Sequence, residues 1–134
     1  MLTERIVCPP RAGCPFHTTA KRYWLPEFVA NQDDPDALTL ILLHSTSFHK
    51  ETWEPTLDQL FQLARRPGFG VKLREAWALD CPNHGEAVLY NENVLRQDEH
   101  AEVCTSIIRS LCPTSRLTPE ICISHMPKIR PHCL

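Results

Sequence analysis

Residues 38–43, Leu-Thr-Leu-Ile-Leu-Leu, form the strongest apolar run of the chain, and this run decides the fold. The run has the length of a β-strand, and its lack of polar alternation favours burial on both faces, as in a parallel sheet. Each Leu or Ile that is buried there would contribute roughly 1.5–3 kcal/mol. We therefore expect this strand to be the main core element.

An amphipathic helix is predicted after the polar loop at residues 44–52. Thr52 is the candidate N-cap, and Pro67 and Gly68 end the helix. The apolar residues that recur at the spacing of one helix face are Trp53, Leu57, Leu60, Phe61 and Ala64.

Two more strands complete the predicted sheet. Residues 71–79 form a second buried strand, so that residues 38–79 read as a βαβ unit with a right-handed crossover. Residues 18–25 are rich in β-formers and stop at Pro26, which predicts an N-terminal strand. The fold class is therefore α/β, a partial sheet made of a βαβ unit and an N-terminal strand.

The two ends of the chain hold 7 of the 12 prolines, within the first 15 and the last 22 residues. We expect residues 1–17 to be irregular, residues 18–111 to form the α/β domain and residues 112–134 to be a disordered tail rich in Pro and Cys. Within the domain, residues 98–111 are predicted to be helical, because an apolar stripe recurs at helical spacing: Val103, Cys104, Ile107, Ile108 and Leu111.

The composition excludes several classes of protein. A net charge of −2 over 134 residues argues against nucleic-acid binding, which needs a basic surface. The longest apolar stretch, residues 37–43, is too short to span a membrane. Residues 1–5 carry an acidic side chain and lead into no apolar signal region, so we expect a cytoplasmic protein with reduced cysteines.

Two loops resemble signatures of the α/β-hydrolase superfamily. Residues 42–55 read LLHSTSFHKETWEP, a strand-to-helix turn, and residues 76–87 read AWALDCPNHGEA, a strand ending in a D-x-P-x-H-G turn. With residues 21–24, Lys-Arg-Tyr-Trp, they appear in the family's order, and the resemblance covers about residues 18–92. It implies an α/β-hydrolase-like sheet whose ligands bind beyond the carboxyl ends of the strands.

The resemblance also implies roles for particular residues. The Thr46 N–H would be one donor of the oxyanion hole and Phe48 would line the pocket, while Ser45 replaces the usual glycine. The members of this oxyanion-hole loop are His44, Ser45, Thr46 and Phe48. The members of the second, structural turn are Asp80, Pro82, His84 and Gly85.

No catalytic nucleophile is identified in the sequence. The family's G-x-S-x-G motif is absent around all six serines, which are Ser45, Ser47, Ser106, Ser110, Ser115 and Ser124. The resemblance therefore implies a serine hydrolase of ester or related acyl bonds in small molecules, without a cofactor. We expect this chain to stop before the nucleophile, to lack the triad and to be inactive alone.

Three alternatives remain open. The chain could be a non-catalytic binding fragment that associates with itself through an exposed sheet edge. A zinc site could use terminal side chains, namely Cys8, Cys14, His17, Cys122 and His125, with His132 and Cys133 nearby. A substitute dyad could pair His100 with Cys104 or Cys112, although both thiols are better explained as small core residues. We interpret His84 beside Asp80 as a turn-shaping residue and His49 and Glu51 as loop residues.

Overall fold

The computed structural model of the protein describes residues 1–12 and 14–97. Its regular elements are four strands and two α-helices, β1 (Leu2–Cys8), β2 (Thr18–Trp24), β3 (Leu38–Leu43), α1 (Glu54–Ala64), β4 (Leu73–Leu79) and α2 (Ala87–Gln97). Two short 3₁₀ helices, Pro26–Asn31 and Lys50–Trp53, precede β3 and α1.

The four strands form one mixed sheet in the order β1-β2-β4-β3. β1 and β4 both pair antiparallel with β2, whereas β3 pairs parallel with β4. In the parallel pair, Leu40 is opposite Ala76 and Leu43 is opposite Leu79. The α/β class is therefore confirmed, and β3 and β4 end at the same edge of the sheet, where the two loops of interest begin.

The core lies between the sheet and α1. Leu57 and Phe61 of α1 are about 1% exposed, and the Phe61 ring meets Phe28 edge-on, with 5.1 Å between the ring centroids. The predicted helix face is confirmed, because its other members also pack against this cluster: Trp53, Leu60 and Ala64. Periodicity identified these residues because α1 buries one face only.

The expected burial of β3 is wrong. Leu38 is 49% exposed and Leu43 is 44% exposed, although the strand bounds are as predicted. In the described part of the chain β3 is an edge strand, so its outer side has no neighbour. The most deeply buried strand is β4, where Ala76 and Ala78 are fully buried between β2 and β3.

Local pairing explains the other differences from the prediction. Residues 2–8, expected to be irregular, form β1, because its backbone pairs with β2 while its side chains stay mostly exposed. Thr52 is not the N-cap, because a 3₁₀ turn precedes α1 and Trp53 occupies the N-cap position without a side-chain capping hydrogen bond. Helix α2 was not predicted, because it buries only Ala87 and Asn91.

The predicted helix 98–111 and the predicted tail 112–134 lie outside the described residues.

No helix in the described part of the chain is long and apolar enough to cross a membrane. The two α-helices have 11 residues each, and a bilayer span needs about 20.

Leu57→Ala should lower the free energy of unfolding by about 2–5 kcal/mol, because it leaves a cavity against the sheet. Leu63→Ala is the matched control, since Leu63 lies on the same helix and is 41% exposed. We expect the control to change stability by less than about 0.5 kcal/mol in urea denaturation. Equal losses would contradict the assignment of the core face.

The free energy of unfolding should fall at high pH, because the buried Tyr23 hydroxyl resists ionisation in the folded state. Its buried hydroxyl donates a hydrogen bond of 3.2 Å to Glu54 Oε1, and burial together with this carboxylate raises the pKa of Tyr23 above its ordinary value. The neutral phenol therefore stabilises the fold fully below the unfolded pKa, and this contribution is lost as pH rises towards the higher folded pKa.

We expect the wild type to lose stability above about pH 10 more steeply than Tyr23→Phe, by up to about 1.4 kcal/mol per pH unit. Urea denaturation at a series of alkaline pH values measures both slopes. Parallel slopes for the two proteins would contradict the prediction.

Candidate functional site

The candidate site lies where β3 and β4 end. The loop at residues 44–49 follows β3, and a turn at residues 80–86 follows β4. Because parallel strands present their carboxyl ends at one edge, both segments meet there. This is the position at which open α/β sheets bind ligands.

The Asp80 carboxylate joins the two segments. Its Oδ1 accepts a hydrogen bond of 2.7 Å from the Lys50 backbone N–H, and its Oδ2 accepts one of 2.6 Å from Lys50 Nζ. Oδ2 also accepts hydrogen bonds from the Thr19 hydroxyl, at 2.8 Å, and from the Glu86 N–H, at 3.2 Å. Asp80 thus connects β2, the start of the 3₁₀ turn before α1, and the turn after β4.

Lys50 is the buried cation of this network. Its side chain is 0% exposed, and besides Asp80 its ammonium group contacts Glu86 at 2.8 Å and Glu51 at 3.2 Å. Glu86 also forms an ion pair with Arg5 of β1. The sequence did not single out Lys50, because lysine is almost never fully buried. Its ion-pair partner Asp80 also lies 30 residues further along the chain, so no local pattern connects the two residues.

Glu51 shares this environment from the loop side. Burial alone would raise the pKa of Glu51, but hydrogen bonds from His49, from its own backbone N–H and from Lys50 hold the pKa below its usual value. The His49 Nδ1 atom lies 2.9 Å from Glu51 Oε2. His49 and Glu51 therefore bond each other at the start of the 3₁₀ helix that precedes α1.

Two histidines form hydrogen bonds between the loop after β3 and the turn after β4. His44 Nε2 accepts a hydrogen bond of 3.1 Å from the Cys81 N–H, and His84 Nε2 accepts one of 3.2 Å from the Ser47 N–H. Their rings lie 5.0 Å apart between centroids. An accepting Nε2 requires a neutral ring with its proton on Nδ1.

Both Nδ1 atoms also have partners. That of His44 bonds the Ser45 carbonyl at 2.9 Å, and that of His84 bonds the Asn83 side-chain oxygen at 2.7 Å. All four ring nitrogens therefore hold the loops in place. In this arrangement neither imidazole has a nitrogen left to move a proton.

The loop itself contains a tight turn. The Phe48 N–H donates to the Ser45 carbonyl at 3.1 Å, and Ser47 has a φ of 70°. This combination is typical of a type II turn, which favours glycine at the third position and tolerates proline at the second. The strained residue is therefore Ser47, not Ser45, where the missing glycine was noted.

The turn leaves one relevant donor unused. Within the described residues the Thr46 N–H has no hydrogen-bond partner, whereas the Ser47 and Phe48 N–H groups are both bonded. Thr46 is exposed, and Phe48 is 52% exposed instead of being enclosed in a pocket. The loop therefore presents an accessible backbone donor beside an exposed aromatic ring.

The Asp80 carboxylate leaves no room for a side chain at residue 85, so this position requires glycine. Gly85 has a φ of 52°, and a Cβ placed there would lie 2.4 Å from Asp80 Oδ2. Pro82 is buried within the same turn. The close approach lets the Asp80 carboxylate reach the Glu86 N–H.

Asn91 is a second buried polar residue that the sequence did not reveal. Its amide accepts from the His17 N–H at 2.7 Å and donates to the carbonyls of His17, at 2.8 Å, and Pro82, at 3.1 Å. It fixes α2 to the segment before β2 and to the turn after β4. A single asparagine on a mostly polar helix gives no indication in the sequence that it is buried or that it bonds His17 and Pro82.

The zinc alternative finds no centre in the described part of the chain, where no three His, Cys, Asp or Glu side chains are grouped to hold a metal ion. Cys8 and Cys14 are free thiols, and the ring of His17 lies against Tyr90, with centroids 5.7 Å apart. The other residues named for zinc or a dyad lie outside the described residues: His100, Cys104, Cys112, Cys122, His125, His132 and Cys133.

Two open depressions lie away from these loops. One, of about 390 Å³, is lined by Leu38 and Lys72 near the amino ends of β3 and β4. The other, of about 450 Å³, lies between Phe28 and Ala64. Thr46 lines neither of them.

Gly85→Ala should destabilise the fold by at least about 2 kcal/mol more than Gly68→Ala. Both glycines have positive φ, so both variants carry backbone strain, but a Cβ at Gly68 meets no atom within 4 Å. The difference between the two variants in urea denaturation isolates the clash with Asp80. Equal destabilisation would show that the carboxylate is not packed against Gly85.

Comparison with models of protein families, with curated proteins and with solved structures gave no match to this chain.

Proposed function

We propose that residues 18–92 are the N-terminal part of an α/β-hydrolase-like serine hydrolase. The substrate class is esters or related acyl bonds of small molecules in the cytoplasm. These residues supply half of an oxyanion hole through the Thr46 N–H. The 134 residues contain no G-x-S-x-G motif, and we expect them to be inactive on their own.

One observation carries this proposal, namely the Thr46 N–H, which has no hydrogen-bond partner among the described residues although the next two N–H groups of the loop are bonded. His84 holds the Ser47 N–H, Asp80 holds the Lys50 N–H, and Phe48 closes the turn. A preorganised donor that needs no reorganisation during reaction is what stabilises an oxyanion. The loop also connects the third strand to the first α-helix, the place from which α/β-hydrolases draw one such donor.

The sheet supports the same proposal. A second strand antiparallel to its neighbours, followed by the parallel pair β3 and β4, agrees with the start of an α/β-hydrolase sheet. The outer edge of β3 is unpaired in the described part of the chain, where a following parallel strand with the nucleophile would lie.

In the complete enzyme, a serine hydroxyl would lose its proton to a histidine and attack the acyl carbon. The carbonyl oxygen would then become an oxyanion. Thr46 and the residue after the nucleophile would donate their N–H groups to it. Expulsion of the alcohol and attack by water would complete hydrolysis, and Asp80 would act only by positioning the Thr46 loop.

The first test is chemical labelling of the full chain. A fluorophosphonate probe should label no serine, and a p-nitrophenyl ester should be hydrolysed no faster than by Thr46→Pro, in which the N–H is deleted. A labelled serine whose modification abolishes ester hydrolysis would overturn the claim that the nucleophile is missing.

The second test concerns the nucleotide sequence beyond the codon of about Glu92. We expect a G-x-S-x-G motif in another frame or after an intron. In the protein that joins this motif to residues 1–92, Thr46→Pro should lower kcat by roughly 10²–10³, the effect of removing one oxyanion donor.

Thr46→Ala is the matched control for that protein, because it keeps the N–H and should leave kcat nearly unchanged. Proline suits the second position of the type II turn, so the variant removes the donor without breaking the loop. An absent motif, or equal kcat values for the two variants, would contradict the proposal.

A further inference from the structure

One hydrogen bond with a titratable acceptor joins Ser47 of the loop to the turn after β4. The Ser47 N–H donates to His84 Nε2 at 3.2 Å, while His84 Nδ1 lies 2.7 Å from the Asn83 side-chain oxygen. Because that oxygen can only accept, Nδ1 carries the proton of the neutral ring and Nε2 carries its lone pair. The one lone pair of His84 is therefore used to hold Ser47.

A further proton on His84 has one place to bind. Both nitrogens of an imidazolium are donors, and Nδ1 is already protonated, so the added proton binds Nε2 and faces the Ser47 N–H. Two donors cannot share a hydrogen bond. Proton uptake by His84 and the bond to Ser47 therefore exclude each other, and imidazoles change charge between about pH 5 and 8.

The Ser47 backbone depends on the contacts that hold it. Its φ of 70° lies in the left-handed region, where a serine is strained and stays only when its neighbours hold it there. One restraint is the bond to His84, and another is the turn bond from the Phe48 N–H to the Ser45 carbonyl. Without the His84 bond, the turn bond remains to oppose the strain, so the loop has a second, relaxed arrangement available.

The carboxylates in the turn of His84 already have partners. Asp80 accepts hydrogen bonds from the backbone and the ammonium group of Lys50. The two oxygens of Glu86 form ion pairs, one with Lys50 and the other with Arg5. Neither side chain therefore has a free oxygen with which to hold a charged His84 in its present position.

His44 is the other imidazole that faces His84, and the two ring centroids lie 5.0 Å apart. The His44 side chain is 1% exposed, and its Nε2 accepts the Cys81 N–H and lies 3.9 Å from Asp80 Oδ1. His84 is only half-buried and is the residue that bonds Ser47. The charge on His84 therefore decides whether this bond forms.

We propose that the His84–Ser47 hydrogen bond is a pH switch of the loop at residues 45–48, in which proton uptake at His84 Nε2 releases the Ser47 N–H and loosens the loop. The switch is a property of the loop and needs no catalysis. As regulation of the Thr46 N–H it rests on the proposed function, since a loosened loop no longer holds that donor preorganised.

Amide hydrogen exchange of the full chain, followed by NMR between about pH 8 and pH 5, tests the switch. Each rate is divided by the rate of an unfolded chain at the same pH, which gives a protection factor. On acidification the protection of the Ser47 and Phe48 amides should fall about tenfold, the scale of one hydrogen bond. The Lys50 amide, which Asp80 holds, should keep its protection and reports that the fold is intact.

His84→Gln removes the titratable group and should abolish the pH dependence of Ser47 protection, whichever end of the new amide faces Ser47. His49→Gln is the matched control, because His49 is a second imidazole of the same loop, with a side chain that is 56% exposed and bonds Glu51. This control should respond to pH as the wild type does.

Three outcomes would overturn the switch: equal Ser47 protection at both ends of the pH range, a response that persists in His84→Gln, or one that disappears in His49→Gln. Exchange measures the loop backbone and no activity, so failure of the hydrolase tests and failure of the switch are distinguishable.

Discussion

The Asp80–Lys50 pair is the interaction on which the rest of the structure depends. Both side chains are fully buried, and burying isolated charges costs several kcal/mol per ion unless they are paired and hydrogen-bonded. The carboxylate meets this condition with donors from Thr19, Lys50 and Glu86. These donors come from β2, from the turn before α1 and from the turn after β4, so satisfying one buried charge fixes the relative position of three chain segments.

The candidate site follows from this constraint. Once Lys50 is fixed, the loop after β3 has little freedom, and His84 removes more by accepting the Ser47 N–H. The imidazoles of His44 and His84 accept hydrogen bonds that link the loop to the turn after β4. The Thr46 N–H has no such partner among the described residues, and a fixed, unbonded donor at the carboxyl end of a parallel strand is the kind of group that stabilises a developing negative charge.

The sequence predicted what depends on local pattern and missed what depends on distant partners. The bounds of β3 and the buried face of α1 followed from apolar runs and helical spacing. β1 was missed because its exposed side chains carry no pattern, and its order comes from the backbone of β2. Lys50 and Asn91 were missed because their partners lie 30 and 74 residues away. The resemblance pointed to the two loops and to the Thr46 N–H, but only the geometry showed that the positive φ of the loop falls on Ser47.

β3 shows a conflict between levels of organisation. Its sequence is that of a central strand, whereas the described fold leaves it at an edge with both ends exposed. Natural sequences are consistent across levels, and departures are expected at functional or strained sites. An apolar, uncharged strand is the kind that a sheet buries on both sides, whereas in the described part of the chain β3 has a neighbour on one side only. The outer side of β3 is therefore the place where the local sequence and the described fold disagree.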